Sequence, residues 1–507
     1  MIETFFEKDT DIYGNVTDNR HYFDGMKISK AGENYTKHMG QYPVISLSLK
    51  SAKQPAFDMA YKSLVDEIAK EYERHRYVLD CDALLTSNKD KYINIMEQKA
   101  ERIDYAKALE FLSDCLKSYH KQNVIILIDE YDVPLENAYF AGFYDEMITF
   151  IRSLFESALK TNDSLEFAVI TGCLRISKES IFTGLNNLAI NSILNVDYSE
   201  YFGFTQNEVE QMLEDYDLSH KVSEVKEWYN GYLFGKTEVY NPWSVINYVR
   251  TLISDSDAFP KPYWSNTSSN SIIRELIEEA DSVVKQEIEG LLAGGTIEKP
   301  IHEDITYEDI HKTQDNLWNF LFFTGYLKRV KERFEEETIY LTLTIPNKEV
   351  AGIYRNTILE WFDKQLKTTD LNNLHKAILE GDCETFENEV SELLLETISF
   401  YDYAENYYHG FLCGLLKGCN HYTVISNRES GNGRPDILFK HLSVRGQAVI
   451  MELKVVKEFD RMESGCNEAL KQIEEQNYAA VLYKEGYRQI RKYGVCFYRK
   501  ECMVKAG

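Results

Sequence analysis

The alternation of hydrophobic and polar positions changes period several times along the chain, and each change marks an element. Tyr42–Leu49 alternates as a strand does. Ala56 to about Tyr77 follows the helical period, with Met59, Leu64, Ile68 and Tyr72 on one side. A second amphipathic helix is expected over Tyr105–His120, burying Ala108, Leu109, Leu112, Cys115 and Leu116. Alternation then stops. Val124-Ile-Ile-Leu-Ile128 is continuously apolar, the pattern of a strand covered on both faces, as in a parallel sheet. A helix over Phe143–Lys160 leads to another apolar strand, Leu165–Thr171. Helix, strand, helix, strand in this order argues for a doubly wound α/β sheet.

From Thr205 the helical period dominates: Thr205–Tyr216, Val222–Tyr229, and Trp243–Leu252 after Asn241-Pro242. Ser254–Asn270 is a polar connector, and helices resume to about Gly290 and over Asp315–Phe323. Strands at Leu327–Val330 and Thr338–Thr344 flank the acidic Glu335-Glu336-Glu337, which predicts a hairpin in a small winged-helix-like or linker domain. Ile353–Thr369 and Leu371–Thr397 read as further helices. The remainder reads as helix Tyr403–Leu416, strand His421–Asn427, strands at Asp436 and Glu452, helix Met462–Asn477 and strand Tyr493–Tyr498. That is a compact α/β module.

A length of 507 residues predicts more than one domain. The apolar runs are too short for a membrane span, and Met1-Ile-Glu-Thr-Phe-Phe-Glu-Lys-Asp9 lacks the basic and apolar regions of a signal peptide. A cytoplasmic location with no membrane partner is the expectation. The nine cysteines are scattered without zinc-knuckle spacing, and reduced, mostly buried thiols are expected. The net charge of −26 argues against binding nucleic acid over the whole surface. The balance is uneven, however: His421–Gly507 carries 15 Lys and Arg against 11 Asp and Glu.

That locally basic module holds the sharpest candidate chemistry. Pro435-Asp436 opens one apolar run, and 16 residues after Asp436 comes Glu452-Leu453-Lys454, at the end of another. Side chains alternate faces along a strand, so Glu452 and Lys454 share one. An acid from one strand, with an acid and a lysine from its hairpin partner, can hold a divalent cation beside an ammonium. Such an arrangement suits phosphodiester hydrolysis by a metal-activated water. Asp436 and Glu452 would hold Mg²⁺ or Mn²⁺, and Lys454 would orient the water or stabilise the charged transition state. A solvated charged surface is the plainer alternative. Glu429 and Glu405 could add ligands or support, as could His409, and Gln472 could touch the substrate phosphate or the lysine.

In the first half, Asp129 and Glu130 emerge where the strand Val124–Ile128 ends, the edge at which open α/β sheets bind ligands. Such a strand resembles a Walker B element, in which Asp129 would help hold Mg²⁺ and Glu130 would polarise the attacking water. Arg175, just past the next strand, could face a γ-phosphate or simply cap the sheet end. The phosphate-cradling G-x4-G-K-[ST] is missing from the sequence. Its nearest match, Gly231-Tyr-Leu-Phe-Gly-Lys-Thr237, has three residues between its glycines and reads as a turn. Met1–Phe6 reads as the tail of the helix that follows such a loop, so the loop and its strand are expected upstream of Met1. ATP would then bind this polypeptide weakly or not at all, and the sheet would carry a hole or an exposed edge.

Several stretches together resemble bacterial proteins that join an AAA-ATPase-like domain to a C-terminal PD-(D/E)XK nuclease-superfamily domain. They are Val124-Ile-Ile-Leu-Ile-Asp-Glu-Tyr-Asp-Val-Pro134, Thr171-Gly-Cys-Leu-Arg-Ile-Ser-Lys178 with the residues to Asn187, and Trp228-Tyr-Asn-Gly-Tyr-Leu-Phe-Gly235. Val239-Tyr-Asn-Pro-Trp-Ser-Val245, Tyr408-His-Gly-Phe-Leu412 and Gly433-Arg-Pro-Asp-Ile437 complete the set. The resemblance implies Asp436, Glu452 and Lys454 as the nuclease triad, with Asp129 and Glu130 as the Walker B pair. It implies an α/β fold in three parts. A P-loop-type parallel sheet domain lacking its first strand would span 1–240. A mostly helical middle region would span 241–398, and a small restriction-endonuclease-like domain 399–507. It also implies ATP as the family's cofactor, absent its Walker A here, and nucleic acid, in the first place DNA, as partner. Self-association stays open. The leading expectation is a metal-dependent nuclease positioned by an ATPase-like domain. The rival is a non-catalytic interaction protein with two degenerate cores.

Overall fold

The computed structural model describes residues 1–160, 162–173, 188–264, 271–303, 313–396, 405–426 and 435–507. Contacts divide the chain into two compact units. One comprises Met1–Ser199, Lys299–Gly325 and Arg333–Tyr340; the other comprises Glu200–Glu298, Tyr326–Glu332 and Leu341–Gly507.

In the first unit, strands β1 (Val44–Ser48), β2 (Val124–Asp129) and β3 (Leu165–Ile170) form a parallel sheet in the order β1-β2-β3. Val44 lies beside Ile125, and Ile128 beside Ile170. Parallel neighbours need crossover connections, and helices Phe57–Arg74, Ala108–His120 and Tyr144–Leu159 lie in them. Central β2 buries Val124, Ile125, Ile126 and Ile128, as its unbroken apolar run requires. Helix Phe57–Arg74 buries Ala60, Leu64, Ile68 and Tyr72, whereas Met59 is 51% exposed. Met59 stands about 140° around the helix from Leu64, off the stripe it was expected to join. Helices Thr86–Met96 and Val133–Ala141 are additional to the expected elements. The first buries only Tyr92 and Ile95, too few positions to display a helical period.

In the second unit, β4 (Tyr232–Phe234) and β5 (Thr237–Val239) pair antiparallel through Gly235-Lys236, with Gly235 at φ +52°. The near-miss phosphate loop is therefore a tight hairpin turn. Helix Pro242–Ser254 is capped by Asn241, whose side-chain oxygen accepts from Trp243 N at 3.0 Å. The fully buried Glu349 accepts from the Ser244 hydroxyl at 2.9 Å and from Trp264 N at 2.9 Å. Burial raises its carboxyl from 4.5 to about 6.

Strands β6 (Ile297–Ile301), β7 (Lys328–Glu335) and β8 (Thr338–Thr344) follow. β7 runs beyond the expected Leu327–Val330, through a mostly charged stretch that carries little hydrophobic signal. The helix expected over Leu371–Thr397 is two, Asn372–Glu380 and Cys383–Glu396, broken at Gly381 with φ +90°.

The chain ends in a five-stranded mixed sheet. Its strands are β9 (Tyr422–Ser426), β10 (Ile437–His441), β11 (Gln447–Val455), β12 (Gln489–Tyr498) and β13 (Glu501–Ala506). Their order is β13-β12-β11-β10-β9, antiparallel throughout except for the parallel β11–β12 pair. Helices Met462–Glu475 and Ala479–Glu485 make that crossover. Val449, Met451 and Leu453 face one core, which includes Leu374, Phe386, Tyr408 and Leu412. Ala448 and Ile450 face the other, with Ile473, Tyr478 and Leu482. The period of two carries Glu452 and Lys454 onto this second face, under helix Met462–Glu475. All nine cysteines are free thiols.

Candidate functional site

The site begins where β10 starts. Ile437 pairs with Met451 in the antiparallel ladder, so Asp436, one residue before, comes level with Glu452. The backbone locks the two together. An Asp436 carboxylate oxygen accepts from Leu453 N at 2.8 Å, and Asp436 N lies 3.4 Å from Glu452 Oε2. The Glu452 carboxylate is only 2% exposed.

A buried carboxylate needs compensating partners, and helix Met462–Glu475 brings one. Gln472 Nε2 donates to Glu452 Oε1, and Lys454 Nζ donates to Gln472 Oε1 at 2.8 Å. Lys454 Nζ also lies 3.9 Å from Glu452 Oε1. The charges fix the amide's orientation, because a carboxylate only accepts and an ammonium only donates. Gln472 thus bridges the acid and the base expected to share one face.

Helix Met462–Glu475 can come this close because Gly494 of β12, in register with Glu452, has no side chain. A Cβ there would lie 2.2 Å from the Cys466 carbonyl oxygen. Beneath the same helix, burial raises the Tyr478 phenol above its usual range, and the carboxylates of Glu452 and Asp436 add to the rise. His409, on helix Glu405–Leu416, lies with Nε2 2.9 Å from Asp436 O and 3.2 Å from Ser426 Oγ. Since a carbonyl only accepts, Nε2 carries the proton. His409 therefore holds the backbone from which Asp436 projects.

Of the sequence candidates, Asp436, Glu452, Lys454, Gln472 and His409 come together. Glu405 opens its helix, with nothing described of its side chain, and Glu429 lies outside the described residues. Among the described residues, no group of three or more His, Cys, Asp or Glu side chains is placed to hold a metal ion. The two carboxylates are nevertheless a hard-oxygen pair of the kind that suits Mg²⁺, which keeps several waters and takes one or two carboxylates plus phosphate oxygens.

At the other candidate site, Asp129 is exposed at the end of β2, and its Oδ1 accepts from the Thr171 hydroxyl at the end of β3. Glu130 takes a left-handed backbone, φ +55°, and its Oε1 lies 3.9 Å from Lys50 Nζ beyond β1. Asp132 is buried and accepts from Cys173 N at 2.8 Å. These residues gather at the C-terminal ends of three parallel strands, the edge where ligands bind in such sheets. Thr171 and Lys50 were missed in the sequence, since a Thr or Lys just past a strand carries no distinguishing pattern. Arg175 lies outside the described residues.

Comparison with known proteins bears on both halves. Residues 1–182 match the family model described as a predicted AAA-ATPase, and residues 403–507 match that of the PD-(D/E)XK nuclease superfamily. The chain joins these two domains. A stretch of 160 residues is 32% identical to an uncharacterized protein in the vnfD 5′ region of Azotobacter chroococcum mcd 1. That stretch covers 31% of this chain and 30% of the relative, so the chain spans about a third of the relative's length. No solved structure matches. Among the described residues, no helix is long and apolar enough to cross a membrane.

Proposed function

We propose that the nuclease-superfamily domain hydrolyses phosphodiester bonds of nucleic acid, DNA in the first place, with Mg²⁺ or Mn²⁺. The observation that carries this reading is the linked set Asp436, Glu452, Gln472 and Lys454, in which a buried carboxylate and an ammonium share one amide bridge. Asp436 and Glu452 would hold the cation, which when bound supplies polarisation of the phosphate and activation of water. Lys454 would meet the charge that builds on the phosphoryl oxygens. Gln472 fixes the separation of Lys454 from Glu452, and His409 steadies the backbone from which Asp436 projects.

The first domain is read as an ATPase-like module of P-loop type that gates or positions the nuclease. Asp129 would serve Mg²⁺ there, and Glu130 the attacking water. The given sequence has no G-x4-G-K-[ST], so ATP is not assigned a phosphate cradle within it. A cytoplasmic setting belongs to the same reading. The test is incubation of the purified chain with linear, circular and single-stranded DNA, with Mg²⁺ or Mn²⁺ and with chelator. Cleavage in the metal arms alone supports the proposal. No cleavage of any substrate in any metal arm overturns it in favour of a non-catalytic interaction protein.

A further inference from the structure

The catalytic strand does not end at Lys454. Lys454 is in register with Cys496 of β12, and Val456 N donates to Phe497 O at 3.0 Å, so the two strands run on side by side. Two residues past Cys496 on the same face stands Tyr498, packed against Met462, Cys466 and Cys496. Phe459, in the loop that leaves β11, meets Tyr498 edge-on, with ring centroids 6.1 Å apart at 75°. Its ring is not used to fill a core, being 54% exposed. The Arg499 guanidinium covers the Tyr498 ring at 5.4 Å, and both Arg499 and Lys457 are exposed. The nearby acids are Glu458, paired with Arg461 at 2.9 Å, Asp460, and Glu501, which stands opposite Tyr498 in the β12–β13 ladder.

A solvent-facing aromatic ring braced by a second ring that carries a guanidinium has the composition of a base-stacking platform for single-stranded nucleic acid. A closed duplex offers no free base face to such a ring; an unpaired strand does. We propose that the exposed Phe459 ring, braced by Tyr498 and Arg499, is a stacking platform for unpaired DNA bases beside the candidate nuclease site. The preferred substrate class is then single-stranded DNA or a duplex end with an unpaired tail. The exposed π face of Phe459 and continuity with the Glu452–Lys454 face argue for this occupant. As a statement about substrate it rests on the nuclease reading; as a statement about binding it does not.

The experiment separates the two. Fluorescence anisotropy at fixed salt, in chelator so that nothing is cut, compares labelled oligo(dT) of about 20 nucleotides, a blunt duplex of equal length, and oligo(U). The expected result is tighter binding of oligo(dT) than of the duplex, and an affinity for oligo(dT) about 5- to 100-fold weaker in Phe459→Ala and Phe459→Leu. Phe459→Trp restores it, and duplex affinity does not change. Leucine keeps the apolar bulk without the π face, so its failure to rescue excludes a packing role. Equal loss on oligo(dT) and duplex, or no loss in Phe459→Ala, overturns the platform, and tighter binding of oligo(U) than oligo(dT) overturns DNA as its occupant. If Phe459-dependent binding appears while the wild type cuts nothing in Mn²⁺, the platform stands and the nuclease reading falls. If cutting appears without that dependence, the reverse holds.

Discussion

Gly494→Ala should damage the site through the helix that packs over it. The new Cβ would lie 2.2 Å from the Cys466 carbonyl oxygen, where an ordinary contact needs well over 3 Å. The obstacle is backbone, so no rotamer change relieves it; helix Met462–Glu475 has to retreat by about 1 Å or bend. Overpacking of this kind costs about 1–3 kcal/mol, since Cys466, Ala469 and Ile473 all leave optimal contact with the sheet. The same retreat draws Gln472 away from Glu452 and Lys454, and a misplacement of about 1 Å at a catalytic centre can cost roughly 10²-fold in rate. Urea titration of the variant should show a lower midpoint with unchanged slope. Single-turnover cleavage should fall about 10²-fold, far beyond what the unfolded fraction explains. A variant as stable and as active as the wild type would refute the claim that this close approach sets the site.

Other perturbations have separate readouts. Asp436→Asn keeps an oxygen able to accept from Leu453 N, so its fold should persist; Mn²⁺ should raise the unfolding temperature of the wild type but not of this variant. His409→Ala removes the donor to Asp436 O and should cost about 0.5–1.5 kcal/mol together with a drop in kcat, and His409→Gln, which keeps an N–H, should recover part of both. Glu349 supplies a pH signature. Its carboxyl is raised from 4.5 to about 6, so the folded chain holds a proton that the unfolded chain releases. The contribution is full below about 4.5 and is lost as pH rises through about 6, at most about 2 kcal/mol. Glu349→Gln should flatten the pH dependence of the urea midpoint across that window, and an unchanged slope would show that the proton is not held there.

The two sheets were legible where their sequence is strongly patterned. The unbroken run Val124–Ile128 fits a strand covered on both faces, and the alternation through Glu452 and Lys454 put both on one face. Gln472 could be suspected as a polar residue of the following helix able to reach the lysine, but its bridge to Glu452 depends on how that helix crosses the sheet. Other features left no mark. Thr171 donates to Asp129 only because β3 lies beside β2, and Gly494 matters only because β12 runs parallel to β11. Such pairings are long-range, and local periodicity does not encode them. Only three residues separate the end of β2 from Val133–Ala141, and that short helix buries just Pro134, Leu135 and Ala138, too few positions to display a helical period. Met59 was misassigned because an apolar residue one position off the stripe looks the same as one on it.

Lys454, held by Gln472 beside the buried Glu452, is proposed to belong to a phosphodiester-cleaving centre. The most direct test is single-turnover cleavage of DNA in Mn²⁺ by the wild type and by Lys454→Met, with circular dichroism confirming equal folding. The expected result is cleavage by the wild type and a loss of at least about 10²-fold in the variant, in line with removal of a transition-state charge partner. Cleavage undiminished in Lys454→Met would exclude Lys454 from the cleaving centre.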